Sequence, residues 1–146
     1  MALNKERKVN TMKNIRNYGV VTGRLAKDLE VYNNRGGSRK ILLLVAAQDN
    51  YTDRDGNRGC QFIPLEAFIP ASQRTNGVYE YLERGDLISC CYTVRNNTYK
   101  DRYGKTVYNN VLQIDEVALL ESKAAKEARQ ASKAAGNQGA EQQAAS

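Results

Sequence analysis

The sequence contains no histidine and no tryptophan, and it has only three cysteines, Cys60, Cys90 and Cys91. Without histidine, the chain lacks the commonest general base and the usual partner of a nucleophilic serine or cysteine. No Cys-x-x-Cys pair is present, so the ligand spacing of a typical zinc site is missing as well. The odd cysteine count argues against a disulfide framework and favours small buried or half-buried thiols. The sequence therefore predicts a protein that is not an enzyme and that holds neither a metal nor a cofactor.

Long apolar runs are missing too. The longest apolar stretch spans residues 41–47, which suits a buried strand and falls far short of the roughly 18 residues that cross a membrane. Residues 1–16 carry charges and no apolar stretch, so they do not resemble a signal peptide. We therefore expect a cytoplasmic protein with no membrane partner.

The excess of positive charge is concentrated at the start of the chain. The formal net charge is +6 and the pI is about 9.3. Residues 1–16 hold five basic side chains and one acidic side chain, so this leader supplies most of the net charge. A basic protein is a candidate for nucleic-acid binding, but a basic leader also serves solubility alone. Charge by itself leaves both interpretations open.

The 146 residues divide by composition into three regions. Residues 1–16 form a basic, flexible leader, and residues 17–120 alternate apolar stretches with turn clusters, as in a domain built from strands. Residues 121–146 form a tail rich in alanine, glutamine and lysine. Good helix formers predict a helix up to residue 135, but the tail has no apolar stripe by which to dock. We expect disorder over residues 136–146.

The middle region predicts five strands and one short helix. The strands are expected at residues 18–25, 39–48, 60–69, 87–95 and 106–119, and the helix at 77–84, where Gly85 provides a left-handed cap. An order of three strands, a helix and two strands predicts an all-β fold, a five-stranded Greek-key barrel of the OB (oligonucleotide- and oligosaccharide-binding) type. A doubly wound sheet fits poorly because only one helix interrupts the strands.

The third predicted strand places both phenylalanines of the chain on one face. Strand side chains alternate between faces, so Phe62 and Phe68 lie with Pro64 and Glu66, opposite an apolar face that suits the core. Leaving each ring exposed forgoes about 1.5–3 kcal/mol of burial. A nucleobase, a partner subunit or a long loop are the candidates to cover these rings. Stacking on a ring is worth about 1–3 kcal/mol per base.

Tyrosines and basic residues cluster in the predicted loops. Arginine and lysine can contact phosphates while neighbouring rings stack on bases. Charged loops that carry tyrosine are also common in solvated turns, so each cluster alone is a weak indication. The residues concerned are Arg35, Arg39 and Lys40 in the first loop, Tyr51, Arg54 and Arg58 in the second, and Tyr99, Lys100, Arg102, Tyr103 and Lys105 in the last hairpin.

The order and spacing of many small motifs over residues 17–121 resemble bacterial and phage-type single-stranded DNA-binding proteins. No single motif is specific, but their succession is. The motifs are Asn17, Gly23-Arg24-Leu25, Asp28, Glu30, Gly36-Gly37, Phe62-Ile63-Pro64, Ala67-Phe68, Tyr81-Leu82-Glu83-Arg84-Gly85, Tyr99, Asp101, Gly104 and Tyr108.

The resemblance implies a homotetramer with one OB fold per subunit that coats single-stranded DNA in replication, recombination and repair. It also implies base stacking on four aromatic positions, Tyr51, Phe62, Phe68 and Tyr99. Basic residues in and around the loops are the candidates for phosphate contacts: Arg24, Arg35, Arg39, Lys40, Arg54, Arg58, Lys100, Arg102 and Lys105.

The sequence departs from the family pattern at several points. Tyr92 stands where the family usually has glycine, and Leu29 where it usually has proline. Relatives commonly end in an acidic tip that finishes in Pro-Phe and docks replication and repair proteins. Residues 139–146 are nearly neutral and carry no aromatic residue, so we expect that this tail does not recruit those partners in the usual way.

Two other functions remain as alternatives. An OB-fold nuclease needs converging carboxylates for a metal, whereas Asp53, Asp55 and Asp101 lie in predicted turns and Glu80 and Glu83 on the predicted helix. An OB-fold protein-interaction module, such as a primosome or mobilisation component, would instead bind a protein through its aromatic face.

Overall fold

Alternating apolar and polar residues fold into six strands in the computed structural model, which describes residues 14–145, with side chains as far as residue 136. Most of the predicted leader, 1–13, lies outside the described residues. The chain also forms a short 3₁₀ helix and one α-helix. The elements are β1 (Gly19–Leu25), β2 (Glu30–Asn33), β3 (Arg39–Gln48), β4 (Cys60–Ile69), the 3₁₀ helix (Gly77–Tyr81), β5 (Leu87–Lys100), β6 (Thr106–Leu119) and α1 (Lys123–Ala145).

The sheet closes into a ring. Its strand order is β1-β5-β6-β4-β3-β2, and an additional pairing joins β1 to β3. Five strands therefore form the ring, and β2 is added at the edge of β3. The parallel contact between β4 and β6 rests on one pair, Glu66 and Gln113, while the other pairings are antiparallel. The chain is mainly β with a closed sheet, which is consistent with an OB-like fold.

The core lies inside this ring and is built by strand alternation. Cys90 is buried and its neighbour Cys91 is half-buried on the opposite side of β5, as the alternation predicts. Burial raises the pKa of the Cys90 thiol to about 12, with a smaller contribution from Cys91. The buried apolar residues are Val21, Leu25, Ile41, Leu43, Val45, Leu65, Ala67, Ile69, Leu82, Ile88, Cys90 and Ile114.

Within the strand-built region, three elements differ from the prediction. The short strand β2 was not predicted, and β5 continues to Lys100 instead of ending at residue 95. Both gain order by pairing, β2 with β3 and the outer half of β5 with β6 as far as the pair Lys100 and Thr106. The helix predicted at 77–84 is a 3₁₀ helix that ends at Tyr81.

The C-terminal helix α1 is held against the ring by charged side chains. The expectation that the tail has little to dock with is wrong, because Lys126 Nζ lies 2.9 Å and Arg129 Nη2 3.0 Å from the carboxylate of Asp86, which is completely buried. The Glu83 N–H also donates to Asp86, at 2.9 Å. The helix continues to Ala145, through the segment for which we expected disorder, since that segment contains no proline and several good helix formers.

A second carboxylate extends this contact. Glu121 accepts hydrogen bonds from the Leu87 N–H at 3.0 Å, from Arg129 Nε at 3.0 Å and from Arg24 Nη1 at 3.2 Å. Burial pushes the pKa of Glu121 upward, but these donors outweigh it and hold the pKa below its usual value. Burial likewise pushes the pKa of Lys126 downward, but the carboxylates of Asp86 and Glu83 outweigh it and raise the pKa. We call Asp86, Glu121, Lys126 and Arg129 the helix clamp.

Candidate nucleic-acid interface

The outer face of β4 carries the two phenylalanines. Phe62 is 62% exposed and Phe68 58% exposed, whereas Leu65 and Ala67, which point the other way, are buried in the core. The alternation of this strand therefore places both phenylalanine side chains on the outside of the closed sheet, as the sequence predicts. Each ring is open to contact from outside.

The neighbouring strand β3 continues this face with a largely apolar surface. Lys40 lies opposite Phe68, and Ala46 lies opposite Phe62. Between them Leu42 and Leu44, both half-buried, lie opposite Glu66 and Pro64. The surface between the two rings is thus largely apolar, with Glu66 within it and a lysine at the Phe68 end.

The hairpin formed by β5 and β6 lies beside this surface and encloses two cavities against it. The first, of about 410 Å³, is lined in part by Leu42, Leu44, Pro64 and Asn109. The second, of about 320 Å³, has two basic residues and a phenylalanine in its lining, Lys40, Arg95 and Phe68. Both cavities share Glu66 and Val111, so they adjoin each other, and we call them together the groove.

Arg95 is a basic residue of the groove that the sequence analysis did not select. It lies on β5 opposite Val111 and is exposed. The prediction ended the strand at this residue, so Arg95 was not assigned a face. A signal was present, because residues 95, 97 and 99 alternate along one strand and Tyr99 was already a candidate.

The other two predicted stacking residues, Tyr51 and Tyr99, lie away from the outer face of β4. Tyr51, 64% exposed, follows β3 in the connection to β4, and Tyr99, 50% exposed, lies near the outer end of β5. Neither lines either cavity of the groove. The structure therefore places Phe62 and Phe68 on one face, Tyr51 in the β3–β4 connection and Tyr99 at the outer end of β5.

Most of the predicted phosphate contacts are exposed on loops. Arg54 and Arg58 lie in the β3–β4 connection, where the Asp53 carboxylate accepts the Asp55 and Asn57 N–H groups at 2.9 and 2.8 Å. Arg35 lies in the turn between β2 and β3. Exposed basic side chains on ordered turns are accessible to an anionic ligand, but none of these three lines the groove.

The tip of the last hairpin carries the remaining exposed cations, Lys100, Arg102 and Lys105. Asp101 orders this tip by accepting the Tyr103 N–H at 2.9 Å and the Lys105 N–H at 3.0 Å. The Arg102 guanidinium lies 5.7 Å from the centre of the Tyr103 ring, within range of a cation–π contact.

Two predicted phosphate contacts make hydrogen bonds within the chain instead. Arg39 donates to Asn76 Oδ1 and to the Gln73 carbonyl, each at 2.7 Å. Arg24 donates to the Gly85 carbonyl at 3.0 Å and pairs with Glu121 of the helix clamp. Neither residue lines the groove, and both hold loops or α1 in place.

The described part of the chain shows no sign of a metal site or a membrane span. No group of three or more histidine, cysteine, aspartate or glutamate side chains converges within it. None of its helices combines the length and the apolar character needed to cross a membrane.

Comparison with known proteins identifies several relatives, although no family model matches the chain. The "Single-stranded DNA-binding protein" of Enterococcus faecalis is 29% identical over 111 residues, 75% of this chain and 57% of the relative. The protein of the same name from Lactiplantibacillus plantarum is 25% identical over 115 residues, 79% of this chain and 56% of the relative. One from Staphylococcus aureus is 25% identical over 114 residues, 78% of this chain and 71% of the relative.

The chain spans a little over half the length of the first two of these relatives. The matches cover about three quarters of the chain, and the structure has a closed β-sheet with exposed phenylalanine side chains on its outer face. On these grounds the chain is related to the family of single-stranded DNA-binding proteins.

Proposed function

We propose that this chain binds single-stranded DNA along the groove and catalyses no reaction. The observation that carries the proposal is the pair of exposed rings, Phe62 and Phe68, on an outer sheet face that adjoins Lys40 and Arg95. Exposed rings beside cations are the combination that binds an unpaired strand without regard to sequence. The names of the relatives support the same substrate.

In this proposal Phe68, which lines the groove, and Phe62, which lies on the same strand face two residues from the lining residue Pro64, stack on bases. Tyr51 and Tyr99 stack on bases that leave the groove. Each ring contributes about 1–3 kcal/mol, because stacking replaces exposed apolar surface with a base of matching shape. The half-buried Leu42 and Leu44 contact the sugars and base edges between the rings. The bases of a duplex cannot stack on these side chains, since they are already paired with each other and stacked on their neighbours.

The phosphates contact basic side chains around this aromatic surface. Lys40 and Arg95 line the groove together with Phe68, and the exposed loop residues extend the positive path in both directions. We assign Arg24 and Arg39 a positioning role, because their guanidinium groups already bond within the chain. The proposed phosphate contacts are therefore Lys40, Arg95, Arg35, Arg54, Arg58, Lys100, Arg102 and Lys105.

The finer fold assignment is also part of the proposal. The five ring strands correspond to a Greek-key OB barrel, with β2 as an addition. The 3₁₀ helix between β4 and β5 takes the place of the short helix expected between the third and fourth barrel strands.

A homotetramer is supported by the outer surface of β1. Val20 is exposed there, as is Tyr18 just before the strand, and Val20 pairs with Cys91 of β5. A second copy would bury this apolar surface, and sedimentation of the purified protein tests that assembly. We place the protein in the cytoplasm with the nucleoid, acting in replication, recombination and repair, because unpaired DNA arises in those processes.

Competition binding tests the main proposal. The protein is titrated into labelled single strands with unlabelled duplex as competitor, and Phe62→Ala and Phe68→Ala are compared with the original sequence. Each substitution should weaken binding about 5- to 150-fold, which corresponds to the loss of one stacking contact. Tyr81→Ala is the matched control, since Tyr81 is exposed but belongs to the 3₁₀ helix and lines a cavity with α1 residues instead of lying on the outer face of β4.

Equal affinity for duplex and single strand would contradict the proposal. Cleavage of labelled DNA in the presence of magnesium or calcium would favour the nuclease alternative. Absence of DNA binding, with a protein segment bound at the same rings, would favour the interaction module.

A further inference from the structure

Among the residues that the structure describes, Glu66 is the only acidic one that lines the groove. It lies on the outer face of β4, two residues from Phe68 and four from Phe62. Its side chain is 32% exposed, and it borders both cavities. A carboxylate between two rings that are proposed to stack on bases needs a chemical explanation, because phosphates repel it.

The environment of Glu66 leaves its carboxylate only partly neutralised. Lys40 Nζ lies 3.6 Å from Oε1, close enough for an ion pair but beyond hydrogen-bonding distance. On either side the strand partners of Glu66 are Leu42, which offers no donor from its side chain, and Gln113. Within the described residues, then, the carboxylate accepts no hydrogen bond and keeps its acceptor capacity.

A base that covers Glu66 would remove water from this carboxylate. Desolvation of a charged acceptor is unfavourable unless the ligand supplies hydrogen-bond donors. Cytosine and adenine each offer an exocyclic amino group, and guanine offers two adjacent N–H donors that match the two oxygens of a carboxylate. Thymine offers one N–H between two carbonyl oxygens, and those oxygens repel the negative charge.

We propose that Glu66 is a specificity-determining residue, which makes the groove favour bases with an exocyclic amino group, guanine above all, over thymine. This inference rests on the proposed function, because it concerns bases that stack on the neighbouring rings. It gives a sequence preference to a surface whose rings alone would accept any base.

The test compares two oligonucleotides of equal length, oligo-dT and a d(TTG) repeat in which no two guanines are adjacent. The measured quantity is the ratio of their dissociation constants at one salt concentration, for the original sequence and for Glu66→Gln. A bidentate pair discriminates by about fivefold or more, so the ratio should fall by about fivefold in the variant. Affinity for oligo-dT should rise, since glutamine is uncharged and can donate to a thymine carbonyl.

Glu127→Gln is the matched control for charge. Glu127 is exposed on α1 and lies outside the groove, so its substitution removes the same charge and should leave the ratio unchanged. Thermal melts check that Glu66→Gln is folded, which we expect because the side chain is nearly isosteric and partly exposed.

The outcomes separate the inference from the proposed function. If Glu66→Gln tightens binding to both oligonucleotides by the same factor, Glu66 acts only as a charge and the inference is overturned. If the original protein binds neither oligonucleotide, the proposed function fails and the inference fails with it.

Discussion

Tyr92 and Leu29, which depart from the family pattern, both have a structural explanation. Tyr92 lies directly across from Gly19 on the neighbouring strand, and a Cβ added at Gly19 would lie 2.3 Å from the Cζ atom of its ring. The absence of a side chain at Gly19 therefore leaves the space that the ring occupies. Leu29 is half-buried and packs against the core.

We predict that Gly19→Ala is destabilising because of this contact. The added methyl group forces the Tyr92 ring out of its position, and overpacking of this kind costs about 1–3 kcal/mol. In a Tyr92→Ala background the same substitution should cost less, because the ring is gone, and the difference between the two costs should fall in the range of about 0.5–3 kcal/mol found for residues in contact. Urea unfolding of the two single variants and the double variant measures this coupling.

Gly23→Ala is the contrasting substitution. A Cβ at Gly23 would lie 2.2 Å from the backbone carbonyl oxygen of Ala46, which no side-chain change can relieve. It should therefore destabilise the protein in both backgrounds. If the free energies lost by Gly19→Ala and Tyr92→Ala simply add in the double variant, the position of the Tyr92 side chain does not depend on the missing side chain at Gly19.

At the scale of elements, the helix clamp predicts how α1 responds to pH. The pKa of Glu121 is lowered from an ordinary value of 4.5, so its stabilising contribution is present above that value and is lost as the pH falls through the lowered pKa. The pKa of Lys126 is raised from 10.5, so its contribution is present below that value and is lost as the pH rises through the raised pKa. Docking of α1 should thus be strongest between about pH 5 and 10.

Hydrogen exchange of the α1 amides, compared with those of β3, measures this docking across the pH range. Arg129→Ala provides the control, because it leaves the buried Asp86 with one cation fewer. The α1 amides of this variant should exchange faster at every pH in the range. The loss of a partner from a buried ion pair costs about 3–5 kcal/mol. Protection of α1 that is identical in both proteins would mean that the clamp does not hold the helix.

The elements that the sequence predicted are those whose order is local. The ranges of β3 and β4 agree with the prediction, because β3 contains one continuous apolar run, the core side of β4 is apolar at every second residue, and turn residues bound each strand. The outer half of β5, with Asn96 and Asn97, has weak strand propensity and is ordered only by pairing with β6. The docking of α1 was missed because its partner, Asp86, lies about 40 residues away in sequence. A contact made by ion pairs also leaves no apolar stripe by which the sequence could predict it.

At the scale of the whole molecule, the groove could be predicted only in part. Alternation within β4 was sufficient to place Phe62 and Phe68 on the outer face. Arg95 and Glu66 come together only because β6 meets β4 at the pair Glu66 and Gln113 and so closes the ring. That closure joins distant segments, and no spacing along the chain encodes it.

The position of each cation, rather than the net charge of +6, should decide how DNA binding responds to salt. The logarithm of the binding constant falls with the logarithm of salt concentration by about 0.7 for each phosphate of a single strand that is neutralised. Arg95 is exposed in the wall of the groove and belongs to the proposed contacts. Arg95→Ala should therefore weaken binding to oligo-dT and reduce the slope by about 0.7.

Arg24→Ala should give the opposite result, although the sequence placed Arg24 among the phosphate contacts and overlooked Arg95. The Arg24 guanidinium is bonded to Gly85 and Glu121, so its loss should lower the melting temperature and leave the salt slope of binding unchanged. Titrations at four or five salt concentrations, with both variants checked for folding, measure the two slopes. A reduced slope for Arg24→Ala, together with an unchanged slope for Arg95→Ala, would move the phosphate path away from the groove and toward the clamp. The two arginines have the same charge and differ in what they already contact, so the comparison isolates the effect of that contact.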